Sequence, residues 1–80
     1  MIGGKVTTDK LKGGVLLHRV CVWVKDELVG HGRAPAPMSP IDLFAAHLPD
    51  PKPNHMRRLI RARTNRAGTV LVAVVRDQPQ

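Results

Sequence analysis

The strongest constraint on the fold is a run of apolar and β-branched residues at positions 15–24, which reads Val-Leu-Leu-His-Arg-Val-Cys-Val-Trp-Val. Two glycines precede this run, and the turn-forming residues 25–27, Lys-Asp-Glu, follow it. Such a segment predicts a β-strand. Successive side chains of a strand point to opposite faces, and the even positions form an almost wholly apolar face: Leu16, Val20, Val22 and Val24. The chain is therefore expected to build a sheet with a buried face.

A second apolar run, at positions 69–75, predicts another strand. It is apolar on both faces, as in a central strand that a helix covers on one side and a loop or partner on the other. Val72 and Val74 are accordingly expected to be buried. The preceding residues 65–68, Asn-Arg-Ala-Gly, predict a hairpin turn in which Gly68 supplies the positive φ.

The segment after the first strand is expected to turn back on it and then become irregular. A turn at residues 26–27 would let Leu28 and Val29 begin a short returning strand that ends at Gly30. Residues 30–40 contain repeated glycines and prolines, which predict a loop.

One short helix is predicted next. Ser39 suits the N-cap, Pro40 suits the first helical position, and Pro49 prevents extension, so the helix has about nine residues. The apolar face of this helix is formed by Ile41, Phe44, Ala45 and Leu48. A helix of this length is stable only when it docks onto a sheet.

Residues 52–66 carry six cations and no carboxylate. As a helix, residues 56–66 would place Arg63 within an apolar arc; as a strand, they would place Arg57, Arg61 and Arg63 on one face. We favour the strand and keep the helix as the alternative. Because arginine forms bidentate bonds to phosphate and carboxylate, a partner-binding site is predicted here. The alternative is a solvated strand face that keeps a small domain soluble. Its residues are Lys52, Arg57, Arg58, Arg61, Arg63 and Arg66.

Together these segments predict a single domain, residues 1–80, of class α+β: an antiparallel sheet of three to five strands with one short inserted helix. More than a quarter of the chain is Leu, Ile, Val or Phe, which is enough for a folded core. With one Trp, one Phe and no Tyr, the composition argues against recognition by base stacking. The formal net charge of +7 favours an anionic partner.

No catalytic or metal-binding pattern stands out. The four histidines lack the paired spacing of metal sites, so neither a metal nor another cofactor is expected. His18 is interpreted as a core or rim histidine, His31 as a solvated loop residue and Cys21 as a small buried hydrophobe. We therefore expect a protein that is not an enzyme and takes no small-molecule substrate.

The single cysteine is compatible with a reducing compartment, and no apolar run approaches the length of a membrane span. A cytoplasmic protein with no membrane partner is the expectation.

Three functions fit these observations. In the first, the basic segment binds and blocks a surface of another protein, most readily a host protein or a ribonucleoprotein subunit; this is slightly favoured, because the chain lacks stacking aromatic residues and a groove-reading element. In the second, the segment binds DNA or RNA without base specificity, and in the third, which is least favoured, the chain is a small RNase-type toxin. In size and style the chain resembles the small, motif-free inhibitors encoded by phages, of which anti-CRISPR proteins are a familiar group. This resemblance implies a noncatalytic protein in the host bacterial cytoplasm that docks on a subunit of an effector ribonucleoprotein and prevents target nucleic acid from binding. Many such inhibitors are acidic, and a basic one must seek acidic protein surface or nucleic-acid backbone.

Overall fold

The strands of the protein form a single antiparallel sheet. The computed structural model describes all 80 residues of the chain. Five strands occur in the spatial order β3-β2-β1-β5-β4, with one helix between β3 and β4 in sequence. The elements are β1 (Ile2–Lys10), β2 (Leu16–Val24), β3 (Glu27–Pro35), α1 (Pro40–Ala46), β4 (His55–Thr64) and β5 (Val70–Pro79). The predicted α+β class is confirmed, with five strands and one short helix.

Strand β1 occupies the centre of the sheet, although no strand was predicted at residues 2–10. It pairs with β2 from Ile2 to Lys10 and with β5 over residues 2–7. Two consecutive glycines and three charged residues interrupt the β-branched residues of this segment, so its strand signal is weak. Hydrogen bonding on both sides, rather than local preference, stabilises it as a strand.

Strand β3 continues through residues 30–35, where the sequence predicted a loop. Gly30 and Gly32 lie directly beneath His47, and a Cβ at either position would overlap that residue. The glycines therefore allow the segment after the helix to cross close above the strand. Pro35 is tolerated because β3 is an edge strand, where one missing N–H leaves no neighbour unpaired.

The helix begins as predicted but ends earlier. Ser39 is the N-cap, and its Oγ accepts a hydrogen bond from the Asp42 backbone N–H at 3.2 Å. The helix has seven residues, and at its end His47 donates from Nδ1 to the Leu43 carbonyl oxygen at 3.0 Å. Because α1 is only two turns long, nearly all its stability comes from packing.

The buried face of α1 differs from the predicted face. Leu43 and Phe44 are the buried residues of α1, whereas Ala45 is exposed. Ile41 and Leu48 are half-buried against the core. The prediction was therefore right for Phe44, partly right for Ile41 and Leu48, and wrong for Ala45.

The core lies between α1 and one side of the three central strands. It comprises nine buried residues: Ile2, Val6, Val20, Val22, Leu43, Phe44, Leu71, Ala73 and Val75. Gly4 makes room for the Phe44 ring, because a Cβ at position 4 would overlap it. His18 is buried at the edge of this core and bonded to Thr8 Oγ1 at 2.8 Å, which confirms its interpretation as a core histidine. We call this side of the sheet the covered face and the opposite side the open face.

Val72 and Val74 do not belong to the core. Val72 is 46% exposed and Val74 is half-buried, because both alternate with the core residues of β5 and point to the open face. The expected burial of this pair was wrong, since no segment of the chain covers that side.

Candidate functional site

The open face is defined by the register of the strands. Residues paired across neighbouring strands share a face, so Lys5 of β1 lies between Cys21 of β2 and Val72 of β5. The same row ends at His31 on β3 and at Arg63 on β4. Helix α1 packs only on the other side, which leaves this row and its neighbours uncovered.

Positive charge is concentrated on the open face. Strand register places seven exposed cationic residues there: Lys5, Arg19, Arg33, Arg58, Arg61, Arg63 and Arg76. The single carboxylate on this face, that of Asp9, lies 3.5 Å from Arg19. Among the strand residues, the open face therefore has six more cations than carboxylates.

A β-bulge decides which arginines of β4 reach the open face. The register of β4 against β5 shifts between Leu59 and Arg61, so simple alternation fails at that point. Arg61 and Arg63 pair with residues of the open face, whereas Arg57 pairs with Asp77 on the covered face. The predicted common face for Arg57, Arg61 and Arg63 is therefore wrong, although the predicted strand is confirmed.

Arg57 is bound within the fold. Its Nε and Nη2 donate to Asp77 Oδ1 and Oδ2 at 2.8 and 3.0 Å, and Nη2 also donates to the Pro49 carbonyl oxygen. The hydrogen bond from Arg57 lowers the pKa of the Asp77 carboxyl below its ordinary value of 3.8. This pair ties the end of the β4–β5 hairpin to the loop that follows α1.

The other predicted cations divide by position. Arg58 lies on the open face, opposite Arg76. Arg66 is exposed in the β4–β5 turn, and Lys52 is exposed in the loop before β4, where register assigns it to neither face. The turn at residues 65–68 forms as predicted. Asn65 Oδ1 accepts hydrogen bonds from the backbone N–H groups of the two residues that follow the turn, and Gly68 has φ 73°.

A shallow depression of about 470 Å³ lies near the middle of the open face. Gly3 lies between Trp23 of β2 and Val74 of β5, and its missing side chain leaves a gap between these two residues. Lys5 and Lys25 also line the depression. The sequence alone does not place Trp23 beside this gap, because the gap depends on the pairing of β1 with both β2 and β5.

Cys21 has neighbours that are distant in sequence. It is half-buried on the open face rather than buried as predicted, because strand pairing places it between Lys5 and His31, on the side that α1 does not cover. His31 therefore lies on strand β3 rather than in a loop. No cluster of three or more His, Cys, Asp or Glu side chains is placed to hold a metal ion.

Comparison of the chain with protein-family models, with curated proteins and with solved structures gives no match. The fold contains no helix that is long and apolar enough to cross a membrane. What the fold and its open face define is a small α+β domain with a one-sided cationic sheet.

Proposed function

We propose that this protein is a noncatalytic binding protein whose open face binds single-stranded nucleic acid. The observation that carries the proposal is the one-sided charge: the strand residues of a single sheet face include seven cations and one carboxylate, and a half-buried tryptophan lies among them. Neutralising phosphates with Lys and Arg releases condensed counterions, and this release drives much of nucleic-acid binding.

The distribution of the cations suits an extended polyanion. Arg61 and Arg63 lie on one edge strand, Arg33 lies on the opposite edge strand, and Lys5 lies between them. Neighbouring strands are about 4.8 Å apart, so the five strands span roughly 19 Å. A chain of phosphates that crosses the strands would meet a cation on both edges and at the centre.

Single strands fit this face better than duplexes. Phe44 and the rest of the apolar side of α1 are buried on the opposite face, so the helix is not free to enter a major groove. The open face offers instead a broad sheet surface with Trp23 among the cations. One tryptophan is few for recognition by base stacking, but it lies on this cationic face, and an unpaired base exposes a face that stacks on such a ring.

A second candidate is the inhibitor that the resemblance to phage proteins implies, docked on an acidic face of an effector ribonucleoprotein. Exposed aliphatic residues among the arginines favour it: Val72 is 46% exposed and Leu28 is 48% exposed. Both lie on the open face, where apolar contacts would contribute to a protein interface. The two candidates share one surface and differ in the partner.

Salt-dependent binding to a short labelled RNA or DNA strand tests the first proposal. Each neutralised phosphate adds about 0.7 to the log–log salt slope of single-strand binding. Arg61→Ala and Arg63→Ala should each lower the slope by about that amount, whatever the base sequence. Lys12→Ala, which removes an equal charge from the β1–β2 turn, is the control and should change the slope least.

The expected binding is tighter for a single strand than for a duplex of equal length. Weak binding of both probes at physiological salt, together with a protein complex from lysate that survives nuclease treatment, would transfer support to the docking protein. Arg61→Glu should then weaken that complex more than Arg61→Ala, because it opposes like charges across the interface.

A further inference from the structure

We propose that the depression beside Trp23 is a nucleobase pocket, in which one unpaired base stacks against the indole ring above Gly3. This inference rests on the proposed function, because it names where on the open face a base of the bound strand is held. It also adds a base contact to a surface whose other contacts are with phosphate.

Two adjacent glycines of β1 carry the first step of the argument. Gly4 faces α1, and any side chain there would overlap the Phe44 ring, so packing explains that glycine. Gly3 faces the other way, and a Cβ there would meet only the Ala73 carbonyl oxygen, at 3.9 Å. Packing within the chain therefore does not explain Gly3.

A glycine inside a strand weakens it by roughly 0.5–1 kcal/mol relative to alanine. Gly3 lies in the central strand of the sheet, so the weakening affects the pairing with both neighbouring strands. A strand glycine without a packing role often marks a place where a ligand approaches the backbone closely. The gap above Gly3 is such a place, because no side chain of the protein fills it.

The residues around the gap match the chemistry of a nucleotide. Trp23 forms one wall and is only half-buried, and Val72 and Val74 supply an apolar wall opposite it. Lys5 and Lys25 line the same depression and offer cations to the phosphates on either side of a bound base. The volume of about 470 Å³ lies within the range of small-molecule sites.

Trp23 is the single tryptophan of the chain, so its fluorescence reports on this pocket alone. An oligonucleotide should quench the emission of Trp23. A strand of the same length and charge with abasic sites throughout should bind through its phosphates and leave the emission nearly unchanged. Equal quenching by the two strands would contradict the proposal that the depression holds a base.

Filling the pocket gives the second measurement. Gly3→Leu should weaken binding of the base-containing strand by about 5- to 150-fold, the range for loss of one stacked base, and leave abasic-strand binding unchanged. Trp23→Leu keeps an apolar residue at the wall, removes the ring, and should give a loss of similar size. Gly3→Ala, which adds one methyl group, should lose less.

The outcomes separate the pocket from the function. If both strands bind with equal affinity and Gly3→Leu and Trp23→Leu change neither, the face binds backbone only and the pocket is wrong, while the proposed function stands. If neither strand binds at any tested salt concentration, the proposed function and the pocket both fail. A folded Gly3→Leu protein, verified by its thermal melting curve, makes its binding result interpretable.

Discussion

The two faces of the sheet are built from the same strands and have opposite properties. On the covered face, alternate residues of the central strands pack with α1 into a core of nine buried residues. On the open face, the residues between them include cations, polar residues, a tryptophan and partly exposed aliphatic side chains, and nothing in the chain covers them. Because a strand alternates, one short segment specifies both the core and the binding surface.

The two large aromatic residues make this difference concrete. Phe44 is 1% exposed and fills the space above Gly4. Trp23 is half-buried beside the gap above Gly3. One ring completes the fold, and the other is left available to a ligand. Substitutions should therefore separate stability from binding according to the face on which they fall.

The largest expected effect is on the covered face. Phe44→Ala removes the ring at the centre of the core and should lower the free energy of unfolding by about 3–5 kcal/mol. This is a large share of the roughly 4–12 kcal/mol expected for a chain of this length. Trp23→Ala, the matched substitution on the open face, should lower it by about 1–2 kcal/mol because its ring is already partly in water.

Denaturant unfolding of the two variants measures the difference. Equal losses would mean that Trp23 supports the fold as much as Phe44 does, and the contrast between the faces would not hold for these two rings.

Local patterns predicted those parts of the fold that local interactions specify. The apolar run of β2, the turn before β5 and the Ser39 N-cap were all visible in sequence, because each depends on residues close together in the chain. Strand β1 was not visible, since its glycines and polar residues become a strand only when β2 and β5 pair with it. The extension of β3 depends on His47 lying over Gly30 and Gly32, a contact between distant segments.

The candidate site was predictable in composition but not in layout. The concentration of arginines in β4 is plain from the sequence, yet the bulge between Leu59 and Arg61 reverses the alternation and turns Arg57 away from Arg61. Lys5, Arg19, Arg33 and Arg76 join the site only through strand pairing. Periodicity within one segment cannot reveal a bulge, because a bulge is a property of two paired strands.

A smaller, pH-dependent effect is expected from the ion pair of Arg57 and Asp77. The pKa of Asp77 is lowered in the folded state by the hydrogen bond from Arg57. Its contribution to stability is therefore fully present above the ordinary value of 3.8 and is lost as the pH falls through the lower, folded-state pKa. Asp77→Asn should melt at a lower temperature than the wild type near neutral pH, and this difference in melting temperature should disappear in acid.

Asp9→Asn provides the control on the open face. The side chains of Asp9 and Arg19 are more than half exposed, and such pairs contribute little to stability. Its melting temperature should follow that of the wild type across the pH range. A difference in melting temperature between Asp77→Asn and the wild type that stays constant down to the lowest pH would contradict the role assigned to the carboxylate.

The smallest expected effect on stability, and the sharpest test of the two-face comparison, comes from the arginines of β4. Arg61 and Arg63 are exposed and make no hydrogen bond or ion pair within the chain, so replacing either with alanine should change the free energy of unfolding by no more than about 0.5 kcal/mol. Arg57→Ala removes the same charge from the same strand but leaves Asp77 without its partner and should destabilise more. Binding should show the reverse order, with Arg61→Ala and Arg63→Ala weakening nucleic-acid binding more than Arg57→Ala does. Denaturation and binding titrations on the three variants give both rankings, and a single common ranking would mean that the open face is not separable from the fold.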